Sequence, residues 1–350
     1  MIKYLGSKRR LVPWIAETVA ACDGVTRVLD LFSGTARVGA ALKAAGHAVH
    51  ANDHNAYAHT LAACYVGADA GRWRERATRL VAELDALPGT PGWFTHTYCE
   101  RSRYLQPANG ARVDAIRDRI AALALEPELE AIALTSLLEA ADRVDSTVGL
   151  QMAYLKRWAA RSYQPLRLRV PELLPGAGSV SCLDAVEAAG RFEADLVYLD
   201  PPYNQHSYLG NYHVWESLVR WDRPEVYGVA MKRVDVRERG SDFNRRGRIL
   251  PALTAVLERL RARWIVVSFS DEGYLGLEEL RTLLGSHGRV REASVDHPRH
   301  IGHKIGIHDL AGRRVGSPGP ARNREHLFVV ETDAVRGGSP SRRRPLATTA

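Results

Sequence analysis

One stretch of the chain sets an acid, two prolines and an aromatic directly after an apolar run: Asp195-Leu196-Val197-Tyr198-Leu199-Asp200-Pro201-Pro202-Tyr203-Asn204. Leu196 to Leu199 read as a buried strand. Consecutive prolines cannot continue a ladder, and they stiffen the turn that follows. The pattern predicts a carboxylate and a ring held at the carboxyl end of a strand, the edge at which open α/β sheets bind ligands. The chemistry on offer is hydrogen-bond acceptance by Asp200 and by the Pro201 carbonyl, with Pro202 as stiffener and Tyr203 as a stacking surface. Taken alone, the stretch reads more readily as a Pro-rich turn leaving a core strand.

A second stretch gives that turn something to act with. Val28 to Phe32 form a short apolar strand, Ser33 to Gly39 a small-residue turn, and Val38, Ala41, Leu42 and Ala45 one face of a helix that Gly46 ends. A strand at Ala48–Ala51 follows and stops at Asn52-Asp53. This is a βαβ unit with a glycine-containing first turn and an acid after its second strand, where nucleoside-binding folds engage ribose hydroxyls. The turn is neither G-x-G-x-x-G nor a P-loop. Asp30 stands just before it and would repel a pyrophosphate, so a cationic or zwitterionic nucleoside such as S-adenosylmethionine fits better. The N-terminal Gly6-Ser7-Lys8-Arg9-Arg10 turn, with Ser7 as expected cap of the next helix and Pro13 in its first turn, offers a cation for a carboxylate.

The elements that position these groups follow from periodicity. Between residues 57 and 178 apolar residues recur at helical spacing, as in Trp73, Ala77, Leu80, Val81 and Leu84, or Val113, Ile116 and Ile120. This reads as a mostly helical insertion between two α/β halves. The expected division is 1–56 and 179–335 for the sheet-bearing domain, 57–178 for the insertion and 336–350 for a disordered basic tail. Residues 204–250 read as a long polar loop whose Lys232, Arg233, Arg245 and Arg246 clamp a polyanion backbone. The formal net charge of +8 over 350 residues agrees, although only six of the 48 basic residues are lysines. Four scattered cysteines without a CxxC pair argue against disulfides and zinc. His297, His300, His303 and His308 lack partners to complete a metal set, so no metal is expected. No apolar run approaches the ~18 residues of a membrane span, which places the protein in the cytoplasm without a membrane partner.

An exocyclic amino group on a base is a weak nucleophile because its lone pair is delocalised into the ring. Acceptors for its two hydrogens favour the pyramidal nitrogen that attacks a methyl group, and the base must leave the duplex to reach them. With that chemistry in view, the chain resembles the Dam-like class of adenine-specific DNA methyltransferases, in its restriction-modification and orphan members. The resemblance rests on Lys3-Tyr4-Leu5-Gly6-Ser7-Lys8, Asp30-Leu31-Phe32-Ser33-Gly34-Thr35, Asn52-Asp53, Tyr198 to Asn204, Asn211-Tyr212-His213, Ser241-Asp242-Phe243-Asn244, Val267 to Ser270 and Glu325 to Val329, in that order. It implies a Rossmann-like α/β methyltransferase fold with a helical target-recognition insertion. It also implies methyl transfer from S-adenosylmethionine to N6 of a flipped adenine in double-stranded DNA, a possible cognate restriction endonuclease as partner, and association with the nucleoid through DNA.

By position, Tyr4 and Lys8 would meet the methionine part of the cofactor. Asp30, Phe32, Ser33 and Gly34 would line its turn, Asp53 would take the ribose and Asp184 the adenine region. Asp200, Pro201, Pro202 and Tyr203 would hold the target, with Asp200 also in the cofactor-binding set. Where the family often has a second glycine this chain has Ala36, whose methyl is expected to crowd the cofactor. Methylation of cytosine N4 or of a ribosomal RNA base, or an idle DNA-binding protein, are the alternatives. An intact Asp-Pro-Pro-Tyr argues against idleness, and Asp at position 200 against the cytosine enzymes, which usually carry Ser.

Overall fold

The computed structural model describes residues 1–298 except 153 and 155, together with 307–308, 314–316 and 322–332. His300, His303 and the basic tail 336–350 lie outside the described residues. Among the described residues seven strands form one sheet: β1 (Arg27–Asp30), β2 (Ala48–Asn52), β3 (Ser179–Ser181), β4 (Leu196–Leu199), β5 (Trp264–Ser270), β6 (Gly288–Pro298) and β7 (Arg322–Thr332). Their order is β3-β2-β1-β4-β5-β7-β6. The first five are mutually parallel, and β7 runs antiparallel between β5 and β6. Strand order reverses between β1 and β4, so the crevice of this open α/β sheet lies at their carboxyl ends.

Alternate residues of the central strands face opposite sides. Val28, Leu196, Tyr198, Trp264 and Val266 join one hydrophobic core, and Leu29, Leu31, Val197, Leu199, Ile265 and Val267 join a second. The unbroken apolar run at 196–199 is therefore a strand buried on both faces, as a parallel sheet demands. Helices α1 (Val12–Ala20), α2 (Arg37–Ala44), α3 (Ala56–Ala62), α4 (Ala70–Asp85), α5 (Pro107–Leu123) and α6 (Pro127–Val144) pack on the first side. Helix α7 (Ala185–Arg191), with α10 (Ile249–Arg259) and α11 (Leu277–Gly285), covers the second. Between α7 and α10 in sequence lie α8 (Tyr208–Asn211) and α9 (His213–Arg220). The helices of 57–178 thus share one continuous core with the sheet.

Two local expectations change. Ser7 makes no side-chain cap: it precedes a short 3-10 turn at Lys8–Arg10, and α1 begins only at Val12, with Pro13 in its first turn as expected. The segment 204–250 is not a loop throughout. Leu209, Tyr212, Val214, Trp215 and Leu218 are buried at helical spacing, and their polar neighbours are buried with partners. Gln151 accepts the Val214 amide through Oε1 (2.9 Å). Glu216 accepts the Tyr57 amide (3.1 Å) and both Nη atoms of Arg239 (3.0 Å each). Polar side chains that are satisfied internally let a polar-looking sequence go into the core.

Candidate active site

The crevice is built from three turns at strand ends. After β1 the Ser33 amide donates to the Asn52 carbonyl (2.9 Å) and the Gly34 amide to Asp53 Oδ2 (3.0 Å). Gly34 has φ 51°, and a Cβ there would come within 3.2 Å of the Tyr4 ring. Glycine is what lets Tyr4 close over the turn. Gly39, at the start of α2, donates to Asp30 Oδ2 (3.0 Å), a contact a Cβ would block. Buried Asn52 ties three strand ends together. Its Nδ2 donates to the carbonyls of Leu31 (3.2 Å) and Leu183 (3.1 Å), and its Oδ1 accepts the Leu183 amide (3.1 Å) and the Ser181 hydroxyl (2.7 Å). Asp53 Oδ1 accepts from the Asn55 amide and side chain (2.9 and 3.1 Å), which fixes the carboxylate after β2. Asp184 caps α7 by accepting from the Val186 amide (2.8 Å).

The third turn is Asp200 to Asn204. The Leu31 amide donates to the Tyr198 carbonyl (3.1 Å), which sets the turn beside the first one. The Tyr203 carbonyl accepts the Tyr274 amide (2.7 Å), and its ring leans on Phe269 with centroids 5.3 Å apart. Asn244 Nδ2 donates to the carbonyls of Asn204 (2.7 Å) and His206 (3.2 Å). Lys8 reaches in from the N-terminus. Its Nζ lies 3.1 Å from Asp200 Oδ1 and 3.1 Å from Glu325 Oε2 of β7. Tyr4 stacks between Tyr208 (5.1 Å, 15°) and Tyr212 (4.7 Å, 16°).

Every residue assigned from sequence to the cofactor borders this one cleft: Tyr4 and Lys8, the turn residues Asp30, Phe32, Ser33 and Gly34, and Asp53, Asp184 and Asp200. Pro202 borders it too, with Pro201 buried behind. Ala36 does not. Its side chain is wholly buried in the core beneath α2, so its methyl does not crowd the cleft. Its cost is conformational instead, a non-glycine residue at φ 58°.

The residues expected to clamp a polyanion do not border the cleft. Arg233 leaves that set: it is 1% exposed and forms forked pairs with Asp222 (2.7 and 2.7 Å) and Asp235 (3.0 and 2.9 Å). Two carboxylates with good fork geometry outcompete solvent for a guanidinium. Lys232 is half-buried beside it. Arg245 is exposed, 3.4 Å from Asp242, and the Arg246 guanidinium lies 5.4 Å from the Tyr274 ring.

Burial dominates the electrostatics. It pushes Asp30 up to about 7, against the single bond from Gly39 and with help from Asp200 and Asp53. It pushes Asp200 up to about 6, opposed by Lys8 and reinforced by Glu325. Burial also works against the Lys8 ammonium, but the Asp200 and Glu325 carboxylates outweigh it and hold Lys8 well above an ordinary lysine. Among the described residues, Asp30 Oδ1 is a buried acceptor with no hydrogen-bond partner. Sequence reasoning missed the parts played by Glu325, Tyr208 and Arg239. Glu325 stood only as part of the Glu325 to Val329 stretch, with no role assigned to it.

A family model described as D12 class N6 adenine-specific DNA methyltransferase matches residues 4–282. The chain is 29% identical over 320 residues to the modification methylase StsI of Streptococcus sanguinis, with 84% of this chain and 47% of that protein aligned. It is 27% identical over 312 residues to the type II methyltransferase M.NlaIII of Neisseria lactamica, with 85% and 92% aligned. The chain therefore spans about half the length of the first relative and nearly all of the second. Among solved structures, a SAM-dependent methyltransferase from Agrobacterium tumefaciens aligns over 94% of this chain and 63% of its own, at 13% identity and a TM-score of 0.35. With the family model spanning both the glycine turn and the Asp200 turn, the chain belongs to the D12 class N6 adenine-specific DNA methyltransferase family.

Proposed function

We propose that the protein methylates N6 of adenine in double-stranded DNA with S-adenosylmethionine. The observation that carries this is the meeting of the two turns: the Asp200 carboxylate opens onto the same cleft as the Gly34 amide turn and Asp53.

The cleft's chemistry fits the cofactor. Four carboxylates, Asp30, Asp53, Asp184 and Asp200, border it against Lys8, Arg37 and Arg239. Asp30 Oδ1 is buried and unpartnered, an arrangement that attracts a positively charged ligand and repels a pyrophosphate. Asp53 stands where ribose hydroxyls are taken, Phe32 and Asp184 where a purine would lie, and Tyr4 and Lys8 at the amino-acid end. When bound, the cofactor supplies an electrophilic methyl group on a sulfonium.

Asp200 and the Pro201 carbonyl accept the two hydrogens of the adenine amino group. This turns the nitrogen lone pair out of the ring plane and toward the methyl. Pro202 keeps that carbonyl from swinging away, and Tyr203, braced by Phe269, stacks on the extruded base. No covalent enzyme intermediate is needed; the residues supply position and acceptors. The insertion 57–178 reads the target sequence, and Lys232, Arg245 and Arg246 contact phosphates. A cognate restriction endonuclease acts on the same site, and the protein works in the cytoplasm on the nucleoid. Among the described residues no helix is long and apolar enough to cross a membrane.

The test is incubation with methyl-labelled cofactor and mixed DNA and RNA, followed by digestion to nucleosides. Label is expected in N6-methyldeoxyadenosine. Label confined to methylcytosine, or to RNA, would sink the proposal.

A further inference from the structure

The cluster at the floor of the cleft contains one cation and two acids, and the methyl-transfer reading uses only one of those acids. Lys8 Nζ is 3.1 Å from each carboxylate, and Lys8 and Glu325 are 6% and 4% exposed. Glu325 is held independently of Lys8. It sits opposite Ser270 in the β7–β5 ladder, and its Oε1 accepts from Asn323 Nδ2 (3.2 Å). That same amide donates to Ser270 Oγ (3.0 Å).

We propose that Glu325 is a positioning residue for Asp200: it shares Lys8 with Asp200 and so keeps Asp200 from being locked into a one-to-one ion pair. This rests on Asp200 being the acceptor for the adenine amino group. A buried ammonium must keep a carboxylate partner, because leaving it unpaired is strongly unfavourable. With Glu325 present, Lys8 stays neutralised while Asp200 turns its lone pairs to the incoming amino group. Without Glu325, the ammonium stays on Asp200, and the amino group has to compete with a buried salt bridge. Glu325 also contributes a negative charge that weakens Lys8's hold on the Asp200 proton equilibrium.

Other groups face the cluster. The Tyr198, Tyr203 and Tyr208 hydroxyls are held neutral by burial across the working range. Asp30 lies on the β1 side, and Glu272 beyond Tyr203. Glu325, like Asp200, touches Lys8 directly, so its removal has an effect of definite sign on Asp200.

The experiment compares wild type with E325Q in two readouts. One is the carboxyl titration of Asp200 in the cofactor-free protein, followed by carbon-13 NMR and assigned with D200N. The other is the pH profile of kcat at saturating cofactor. In E325Q the Asp200 titration and the acid limb of kcat are expected to move down from about 6 by about one to two pH units, the effect of removing one nearby charge. kcat at pH 8 is expected to fall about tenfold while cofactor Kd stays within about twofold, a loss confined to the acceptor step. An unmoved Asp200 titration overturns the proposal, whatever the activity. A wild type that methylates no adenine, with the titration shifted as expected, instead overturns the reaction reading and leaves the electrostatic role of Glu325 in place. Should E325Q not fold, K8Q and K8Q/E325Q replace it. Asp200 should titrate about one unit lower in the double variant, from the same loss of a like charge, and equal titrations overturn the proposal.

Discussion

Asp30→Asn is expected to stabilise the cofactor-free protein at alkaline pH while weakening its hold on the cofactor. Asp30 is 1% exposed, and its carboxylate has one bond, from Gly39 to Oδ2, with Oδ1 unpartnered. Burial takes its pKa from 3.8 to about 7. Because the folded value lies above the unfolded one, the native state holds the proton more tightly. Its contribution is fully present below about pH 4 and is lost as pH rises through about 7. Carrying the charge in the fold above that range costs about 4 kcal/mol, at ~1.4 kcal/mol per pH unit. Asparagine keeps an acceptor for Gly39 but sets an unpartnered amide where Oδ1 was, which gives back about 1–2 kcal/mol. The net expectation is a gain of about 2–3 kcal/mol at pH 8.5 and none at pH 5. Urea or thermal unfolding across pH 5–8.5 measures it. Asp200, pushed up to about 6, adds a slope of the same sign that persists in the variant. Calorimetric titration should show wild-type cofactor affinity rising with pH up to about 7, as the bound cation draws Asp30 into its ionised form, and a flatter, weaker profile in the variant. Equal destabilisation at every pH would mean that Asp30 is ionised and well solvated, and the reasoning would fail.

Asp200→Ala should abolish turnover while cofactor affinity changes by less than about threefold, since the acceptor for the amino group is lost but Glu325 still neutralises Lys8; an active variant refutes the assigned role. Arg246→Ala should lower the salt slope of DNA binding by about one, the signature of one lost phosphate contact. Arg233→Ala should leave that slope unchanged but cost about 2 kcal/mol of stability, because it removes two forked pairs from the core while Asp222 and Asp235 keep Arg220 and Arg239; a changed slope with unchanged stability reverses the two assignments. Asp195 accepts from Thr26 and Arg27, and despite partial burial these bonds hold its carboxyl down at about 2. Asp195→Asn should therefore destabilise above about pH 4, with the difference from wild type vanishing as pH falls through about 2; a difference that persists in acid rules the carboxylate out as its cause.

The first βαβ unit and the helices of the insertion could be read directly from the residues, because apolar spacing and small-residue turns are local signals. Trp73, Ala77, Leu80, Val81 and Leu84 were expected on one helical face, and all are buried. The segment after the Asp200 turn misled for a physical reason. His213, Glu216 and Arg233 are polar and yet almost wholly buried, since each finds partners: the Gln151 carbonyl, Arg239, and the Asp222 and Asp235 carboxylates. Arg233 illustrates the point at the candidate site: an arginine in a basic run counts as surface until Asp222 and Asp235 are seen to fork around it. Glu325 was hidden by separation, its partner Lys8 lying 317 positions away. Asp30, Gly34, Asp53, Asp184 and Asp200 were legible because they stand at or just after strand ends, where sequence pattern and position coincide, whereas Tyr208 and Arg239 of the same cleft lie outside such turns.

The Lys8–Glu325 pair has a consequence for the life of the chain before it is finished. Lys8 leaves the ribosome well before Asp200, and Glu325 after both. A growing chain can assemble β1 to β4 and their helices well before β7 inserts between β5 and β6. Until that insertion, Lys8 has Asp200 but not its second carboxylate. Closing a contact across 317 positions is slow compared with local helix formation. A nascent chain with the cleft already formed would still lack the second carboxylate for Lys8, so the arrangement proposed to free Asp200 would arrive only once β7 has inserted.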